Sequence, residues 1–557
     1  MKRNRNRVTE KIMQFDPILP QARIKAMKAQ GYWNDLILTD YFDRCVAEMP
    51  NKIAVSDFNS TVQIANRFTY RELAERVDRI AVGLMRLGVE ENNVVSCQLP
   101  NWWQFTALTL ACVRIGAVIN PIMPIFRERE LKFMLGLAES KVFVIPREFR
   151  GFDYVAMARG IRSELPRLHY LLIIGGEGSE SFEDVLLDQR GHADEDATDR
   201  FKARRPTADN VTELLYTSGT TGEPKGVMHT ANTLFSNLRP YAERLRLTGD
   251  DIVLMSSPMA HQTGFMYGLM MPIMLGASAV LQDIWEPKQA ATRIGNERVT
   301  FTMASTPFLS DLTDAVATNN HDVSSLRVFL SAGAPIPRVL VERATQVLKA
   351  NIVSAWGMTE NGAVTTTKLD DSPEKAFHTD GCTLPGMEVQ ITDHESKPLP
   401  PGAEGMLKTR GCSNFVGYLK RPQLYGHDAD GWFDTGDLAR IDADGYIRIT
   451  GRSKDIIIRG GENIPVVEIE GLLFRHPAIQ AVAIVGYPDP RLGERACAFV
   501  VLKSGQTFSR AEMIQFLEQE KVIKQYMPER LEIVAELPRT PSGKVQKFRL
   551  REIAKSF

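Results

Sequence analysis

Cysteine is scarce: six residues in 557, at positions 45, 97, 112, 382, 412 and 497, with no Cys-x-x-Cys pair. No histidine cluster accompanies them, which argues against a disulfide framework or a structural zinc site and favours buried thiols in a reducing compartment. Net charge is nearly absent too, since 67 Lys+Arg against 68 Asp+Glu leave −1. A whole-chain basic footprint for nucleic acid or an anionic membrane is thereby excluded. Long apolar runs are missing: windows such as 270–281 (MMPIMLGASAVL) are too short to span a bilayer. No apolar stretch follows the basic start before Asp16, so a secretory leader is not expected and a cytoplasmic protein is. Gly and Pro are at ordinary levels, without repeats or low-complexity tracts. What remains is a large globular chain, too long for one core, of three to four structural units at roughly 150 residues each.

Apolar, β-rich runs alternate with helix-like segments along most of the chain. Strands are predicted at 211–216, 326–330 and 351–355, and a helix over 231–245. This alternation implies an α/β architecture with largely parallel sheets, whose ligands bind beyond the carboxyl ends of the strands. From Asp434 onward the texture changes to short strands and Gly turns, and 463–557 reads as a compact α+β unit with a boundary near 451–455.

The densest local signal is Tyr216-Thr-Ser-Gly-Thr-Thr-Gly-Glu-Pro-Lys-Gly226. Thr217, Ser218, Gly219, Thr220, Thr221 and Gly222 offer hydroxyls and backbone N–H groups to a polyphosphate, and Lys225 adds a positive charge. The loop sits after a predicted strand and before a predicted helix. It is not a Walker A loop, because that pattern continues its second Gly with Lys and then Ser or Thr, and here Gly226 is followed by Val227. A merely flexible Ser/Thr/Gly loop is the plain alternative.

This stretch resembles the phosphate-binding signature of the adenylate-forming superfamily, which includes acyl-CoA synthetases, peptide-synthetase adenylation domains and luciferases. Further motifs follow in that family's order: Ser331-Ala-Gly-Ala-Pro335, Trp356-Gly-Met-Thr-Glu360, Phe433-Asp-Thr-Gly-Asp437, Gly451-Arg-Ser-Lys-Asp455, Gly460-Gly-Glu-Asn463 and Pro541-Ser-Gly-Lys544. Within the family, the likeness is to medium-chain and cyclohexanecarboxylate-type CoA ligases. It implies an α/β fold with a large N-terminal domain over 1–452. That domain would hold two mixed or parallel sheets with helices and a small β-rich subdomain. A small mobile α+β C-terminal domain over 453–557 would follow, hinged near Lys454.

By the same resemblance, Gly333, Ala334, Pro335, Trp356, Gly357 and Met358 lie on the adenine side. Thr359 reaches the α-phosphate, and Glu360 is catalytic as the Mg²⁺ ligand, a hard oxygen donor suited to that ion. Asp437 accepts the ribose hydroxyls and Arg452 reaches the ribose or phosphate side. Trp356 stands where the family more often has Tyr, and an indole stacks on adenine at least as well. Lys544 lies in a basic tail, with five Lys/Arg and one acidic residue between 541 and 557. A solvated basic face is the plain reading of such a run. The resemblance instead makes Lys544 the catalytic lysine that bridges acyl carboxylate and α-phosphate.

Arg459, Gly460, Gly461 and Glu462 would meet coenzyme A once the C-terminal domain has turned. His261 is implied as a catalytic residue beside the acyl carboxylate, with Met259, Gln262, Thr263 and Gly264 in the acyl pocket. The four methionines of 265–274 are compatible with an adaptable apolar wall or with plain helix packing. No charged residue occurs in 259–274 or 303–309, which favours an apolar acid. The cofactors implied are ATP, Mg²⁺ and coenzyme A, and the partner a small carboxylic acid. No nucleic acid or membrane span is implied, and a homodimer stays open. An aryl-acid enzyme loading carrier-protein phosphopantetheine is the alternative, weakened by Gln262 where siderophore-type enzymes carry Asn. A luciferase-like oxygenase and an inert scaffold are further rivals; the latter is expected to have lost Lys544, Glu360 or Asp437, and all three are present.

Overall fold

The computed structural model describes residues 13–188, 196–217, 224–319, 321–333, 338–459, 462–540 and 543–557. The chain packs as two units: residues through Leu234 together with Phe415–Tyr425, and Phe235–Asn414 together with Gly426–Phe557.

The first unit is built on a six-stranded sheet. Its strand order is Lys225–Thr230, Val211–Thr217, Val118–Pro121, Val94–Cys97, Val142–Pro146, Tyr170–Ile174. Only the first pair is antiparallel. Val94–Cys97, Val118–Pro121 and Val142–Pro146 are buried throughout, as strands covered on both faces are, and their two polar residues, Asn120 and Ser96, hydrogen-bond each other at 2.7 Å. Helix Tyr70–Arg86 covers part of this unit with Leu73, Val77, Ile80, Ala81 and Leu84, a three-to-four-residue spacing. It starts at a capping box in which Glu72 accepts the Thr69 N–H at 2.8 Å and donates its own N–H to the Thr69 hydroxyl.

One local expectation is corrected here. The phosphate-type loop does not run directly into a helix; strand Lys225–Thr230 intervenes before helix Ala231–Arg244. That strand is held on both edges. It pairs with Val211–Thr217, and on its other side the Gly417 carbonyl accepts from Met228 N–H at 3.0 Å and the Gly226 carbonyl from Leu419 N–H at 2.8 Å. The second partner comes from almost 190 residues further along the chain, where local patterning has no reach.

The second unit carries a run of strands in the order Cys382–Thr383, Gly362–Thr366, Asn351–Met358, Val328–Ala332, Phe301–Ala304, Ile252–Met255, Ser278–Gln282. The last five are mutually parallel, and the first two join antiparallel. Phe308, Leu309 and Leu312 of helix Thr306–Asn319 bury themselves with Leu326, Phe329, Leu340 and Val341, fixing helices to the sheet. A four-stranded antiparallel meander follows: Met387–Thr392, Gly405–Gly411, Phe433–Ile441 and Ile447–Arg452.

The C-terminal stretch has its own five-stranded sheet, centred on the Ile479–Asp489/Gly493–Leu502 hairpin. Ile457, Ile464, Ile469, Leu473, Val500, Met513 and Leu517 form its core. All six cysteines are free thiols, five of them buried. Among the described residues, no helix is long and apolar enough to cross a membrane.

Candidate active site

Asp437 anchors the site. It lies on strand Phe433–Ile441 directly opposite Arg452 of the neighbouring strand. Arg452 Nε sits 2.8 Å from Asp437 Oδ1, and Trp356 Nε1–H donates to Asp437 Oδ2 at 2.9 Å. The carboxylate is buried, with 4% of the side chain exposed. A carboxylate oxygen accepts at two lone pairs, so each oxygen keeps one direction for a ligand hydroxyl. The tie from the Trp356 indole to Asp437 was not expected, because it joins positions 81 residues apart.

Glu360 projects from the tight turn between Asn351–Met358 and Gly362–Thr366, and it is buried. Met358 and Asn361 close this turn: the Asn361 side-chain oxygen accepts from Met358 N–H at 3.1 Å, and the Met358 carbonyl from Asn361 N–H at 3.2 Å. Gly357 has no room for a side chain, since a Cβ there would lie 1.9 Å from the Gly362 carbonyl oxygen. Two buried residues outside the motifs hold the returning strand. The Tyr267 hydroxyl accepts from Ala363 N–H and donates to Asn237 Oδ1, both at 2.8 Å, while Asn237 Nδ2 donates to the Ala363 carbonyl at 2.7 Å. No sequence pattern flags Asn237 or Tyr267, because the strand residue they both hold, Ala363, lies 126 and 96 residues away.

Lys544 is brought to this same place. Its turn is tied by Lys544 N–H to Thr540 Oγ1 at 3.0 Å, Gly543 N–H to the Thr540 carbonyl at 2.8 Å, and Arg539 Nη1 to the Gly543 carbonyl at 2.9 Å. The lysine keeps exposed surface, and the charges of Arg452, Asp437, Asp455 and Glu360 lie near enough to act on it. Lost hydration and the Arg452 guanidinium pull its pKa down to about 8, against the opposing pull of Asp437, Asp455 and Glu360. Asp455 is itself paired with Arg551.

His261 caps the short turn Gln262–Gly264, its Nδ1 accepting from Thr263 N–H at 3.2 Å. Burial and the charge of Lys544 push its pKa down to about 4. The imidazole is therefore neutral at pH 7, and because Nδ1 accepts, the proton resides on Nε2. Met259 and Gln262 are buried beside it. Gly264 is required by closeness, since a Cβ would meet the Pro258 carbonyl oxygen at 2.3 Å. Met266, Met270, Met271 and Met274 are all buried on the following helical stretch, packed towards strands Ile252–Met255 and Ser278–Gln282.

The remaining positions are distributed as follows. Thr217 ends its strand with Oγ1 buried and without a hydrogen-bond partner among the described residues. Lys225 faces it in register, its ammonium donating to the Tyr418 hydroxyl at 3.0 Å and lying 4.2 Å from that ring's centroid. Ser218, Gly219, Thr220, Thr221 and Gly222 lie outside the described residues, as do Ala334, Pro335, Gly460 and Gly461. Gly333 follows strand Val328–Ala332 with φ +86°. Thr359 sits in the turn before Glu360. Lys454 is in the single helical turn Ser453–Asp455. Arg459 is ion-paired with Glu529 inside the C-terminal sheet, and Glu462 is its register partner on the adjacent strand. Among the described residues no group of three or more His, Cys, Asp or Glu converges on a metal position. Mg²⁺ does not require such a cage, because it binds through one or two carboxylates together with substrate phosphates, and Glu360 supplies that kind of donor.

Comparison with known proteins then adds to this geometry. The AMP-binding enzyme family matches residues 42–419, and the AMP-binding enzyme C-terminal domain matches residues 468–544. A medium-chain fatty-acid–CoA ligase of Escherichia coli K12 is 37% identical over 539 residues, covering 96% of this chain and 93% of that protein. The 2,3-dihydroxybenzoate–AMP ligase of Bacillus subtilis 168 is 32% identical over 544 residues, covering 96% of each. Among solved structures, ATP-bound MatB from Rhodopseudomonas palustris superposes with a TM-score of 0.80 at 27% identity, over 93% of this chain and 99% of that one.

Proposed function

The chain belongs to the AMP-binding enzyme family, and on that premise we propose that it is an ATP-dependent acyl-CoA ligase for short- to medium-chain or alicyclic carboxylates. The observation that carries the reading is the meeting of Lys544 with Asp437, Arg452, Glu360 and His261. In the first half-reaction a carboxylate oxygen attacks the α-phosphorus of ATP, the bond to the β-phosphate oxygen breaks, and pyrophosphate leaves. Charge builds on the α-phosphate oxygens, where the Lys544 ammonium meets it. Asp437 holds the ribose with its free lone pairs, and the Thr359 hydroxyl donates to the α-phosphate. The neutral His261 presents Nε2–H to the acyl carboxylate and adds no charge that would compete with Lys544. Mg²⁺, when bound at Glu360 with the phosphates, supplies neutralisation of the departing pyrophosphate.

In the second half-reaction the CoA thiolate attacks the acyl carbonyl and AMP leaves. Lys544 has no part in that step, so we take residues 453–557 as a domain that turns about Lys454. Arg459, Gly460, Gly461 and Glu462 would then reach the pantetheine arm. Lys454→Pro is expected to leave adenylation within about threefold and to lower thioester formation at least tenfold, as single-turnover assays of each half-reaction would read. An unchanged thioester yield removes the hinge assignment.

The acid preference rests on the likeness to the medium-chain ligase and on the uncharged, methionine-rich neighbourhood of His261. ATP–pyrophosphate exchange across aliphatic, alicyclic and hydroxybenzoic acids tests it, followed by thioester assay with CoA. Exchange is expected with octanoate and cyclohexanecarboxylate, and CoA thioester as product. Exchange confined to hydroxybenzoates, with transfer only to a carrier protein, would establish the aryl-acid alternative that the resemblance to the dihydroxybenzoate enzyme keeps in view.

A further inference from the structure

The turn bearing Lys544 rests on a particular piece of the second unit. Gly543 approaches the start of helix Thr306–Asn319 so closely that a Cβ on it would lie 2.5 Å from Ser305 Oγ, 3.5 Å from Phe308 and 3.6 Å from Pro307. Ser305 Oγ is buried there, without a hydrogen-bond partner among the described residues. One helical turn further along, Asp311 accepts from Trp285 Nε1–H at 2.9 Å, and the Trp285 ring packs on Phe308 with centroids 4.6 Å apart. From the other side comes Arg539, which donates to the Gly543 carbonyl. Burial raises the Asp311 pKa and lowers that of Arg539, and the charge of each opposes that shift in the other.

We propose that Ser305, Pro307, Phe308 and Asp311 form a docking seat for the Arg539–Lys544 turn, and that Asp311 and Arg539 are positioning residues used in adenylation alone. The inference deepens the reading above and rests on it. A lysine on a surface turn has freedom to spare, and catalysis by a single ammonium is steep in distance: a misplacement of about 1 Å can cost about 10²-fold. The seat removes that freedom from two directions. Gly543 permits a contact no other residue could make, its φ of +84° and the crowding at Ser305 both demanding glycine. Arg539 holds the turn's backbone at the Gly543 carbonyl, and its charge is felt through space by Asp311. Asp311 touches neither nucleotide nor acid in this scheme, so it acts only while the C-terminal domain presents Lys544. Once that domain has turned, the contact is gone and nothing in thioester formation depends on it.

The experiment uses the full-length enzyme and measures ATP–pyrophosphate exchange beside thioester formation from supplied acyl-adenylate. Asp311→Asn keeps an oxygen for the Trp285 N–H and removes only the charge; Asp311→Ala removes both, and Arg539→Ala removes the other partner. Exchange is expected to fall about three- to tenfold in Asp311→Asn and about tenfold or more in the two alanine variants. The loss should lie in kcat with KM for ATP unchanged, and thioester formation should stay within twofold. Equal losses in both half-reactions, or exchange unchanged in all three variants, would overturn the seat. Lys544→Ala in the same assay separates the two levels. If it abolishes exchange while the seat variants behave as wild type, the seat alone falls; if it retains full exchange, the assignment of Lys544 falls and the seat with it.

Discussion

Lys544→Ala is expected to lower acyl-adenylate formation by about 10²–10³-fold, the usual cost of deleting one preorganised donor to a developing oxyanion. Thioester formation from supplied acyl-adenylate should stay within about threefold. The asymmetry follows from where charge develops. The α-phosphate gains negative charge only in the first step, and the ammonium stands among Glu360, Asp437 and Arg452, where that phosphate would lie. The pH profile carries a second signature. Lost hydration has lowered the Lys544 pKa from the ordinary lysine range to about 8, so the charged form is full below that value and is lost as pH rises through it. Exchange should therefore decline above about pH 8, while the thioester step shows no such limb. His261, with its pKa near 4, should add no inflection near pH 6.5. Rapid-quench measurement of both half-reactions between pH 6 and 9.5 checks this. A descending limb that survives in Lys544→Ala would assign it to another group.

The second large effect is expected at Asp437. Asp437→Ala should raise KM for ATP by about two orders of magnitude, since hydrogen bonds to a charged partner contribute roughly 1.5–3 kcal/mol each and two ribose hydroxyls would lose theirs. It also leaves the Trp356 N–H without its acceptor in a buried place, whereas Arg452 is partly exposed and can turn to water. Trp356→Phe tests the smaller share. It deletes the donor that orients the carboxylate and keeps an aromatic face, so KM for ATP should rise by about tenfold or less. Initial-rate kinetics with varied ATP distinguishes the two. A KM within threefold of wild type in Asp437→Ala would remove the ribose assignment.

Much of the architecture was legible in advance. Strands predicted at 211–216, 326–330 and 351–355 occur at Val211–Thr217, Val328–Ala332 and Asn351–Met358, and the helix over 231–245 at Ala231–Arg244. These are short apolar runs or strongly patterned segments whose burial dictates their period. The six-residue strand at Lys225–Thr230 was missed, because its pairing with Gly417 and Leu419 is a property of the folded chain. The same reason hid Tyr418 beneath Lys225, and Asn237 and Tyr267 behind the Glu360 turn. Asn237 and Tyr267 are buried polar residues whose meaning is their partner, and the partner is far along the chain.

By itself the sequence determined the chemistry on offer: phosphate-type loop, carboxylates, histidine and a lysine near the C-terminus, in an order that identifies the family. Those are local statements, carried by residue type and by spacing within a dozen positions. Only the tertiary structure decided which of them act together. Lys544 lies 184 residues from Glu360 and 107 from Asp437, and no periodicity spans such distances. Their meeting depends on a glycine fitting against Ser305 and on strands Phe433–Ile441 and Ile447–Arg452 pairing so that Asp437 faces Arg452. Charge interactions act through space, whereas the sequence orders residues along the chain. The neutral balance of −1 at which the composition arrives thus conceals an uneven distribution, with positive and negative groups concentrated where the fold closes on one site.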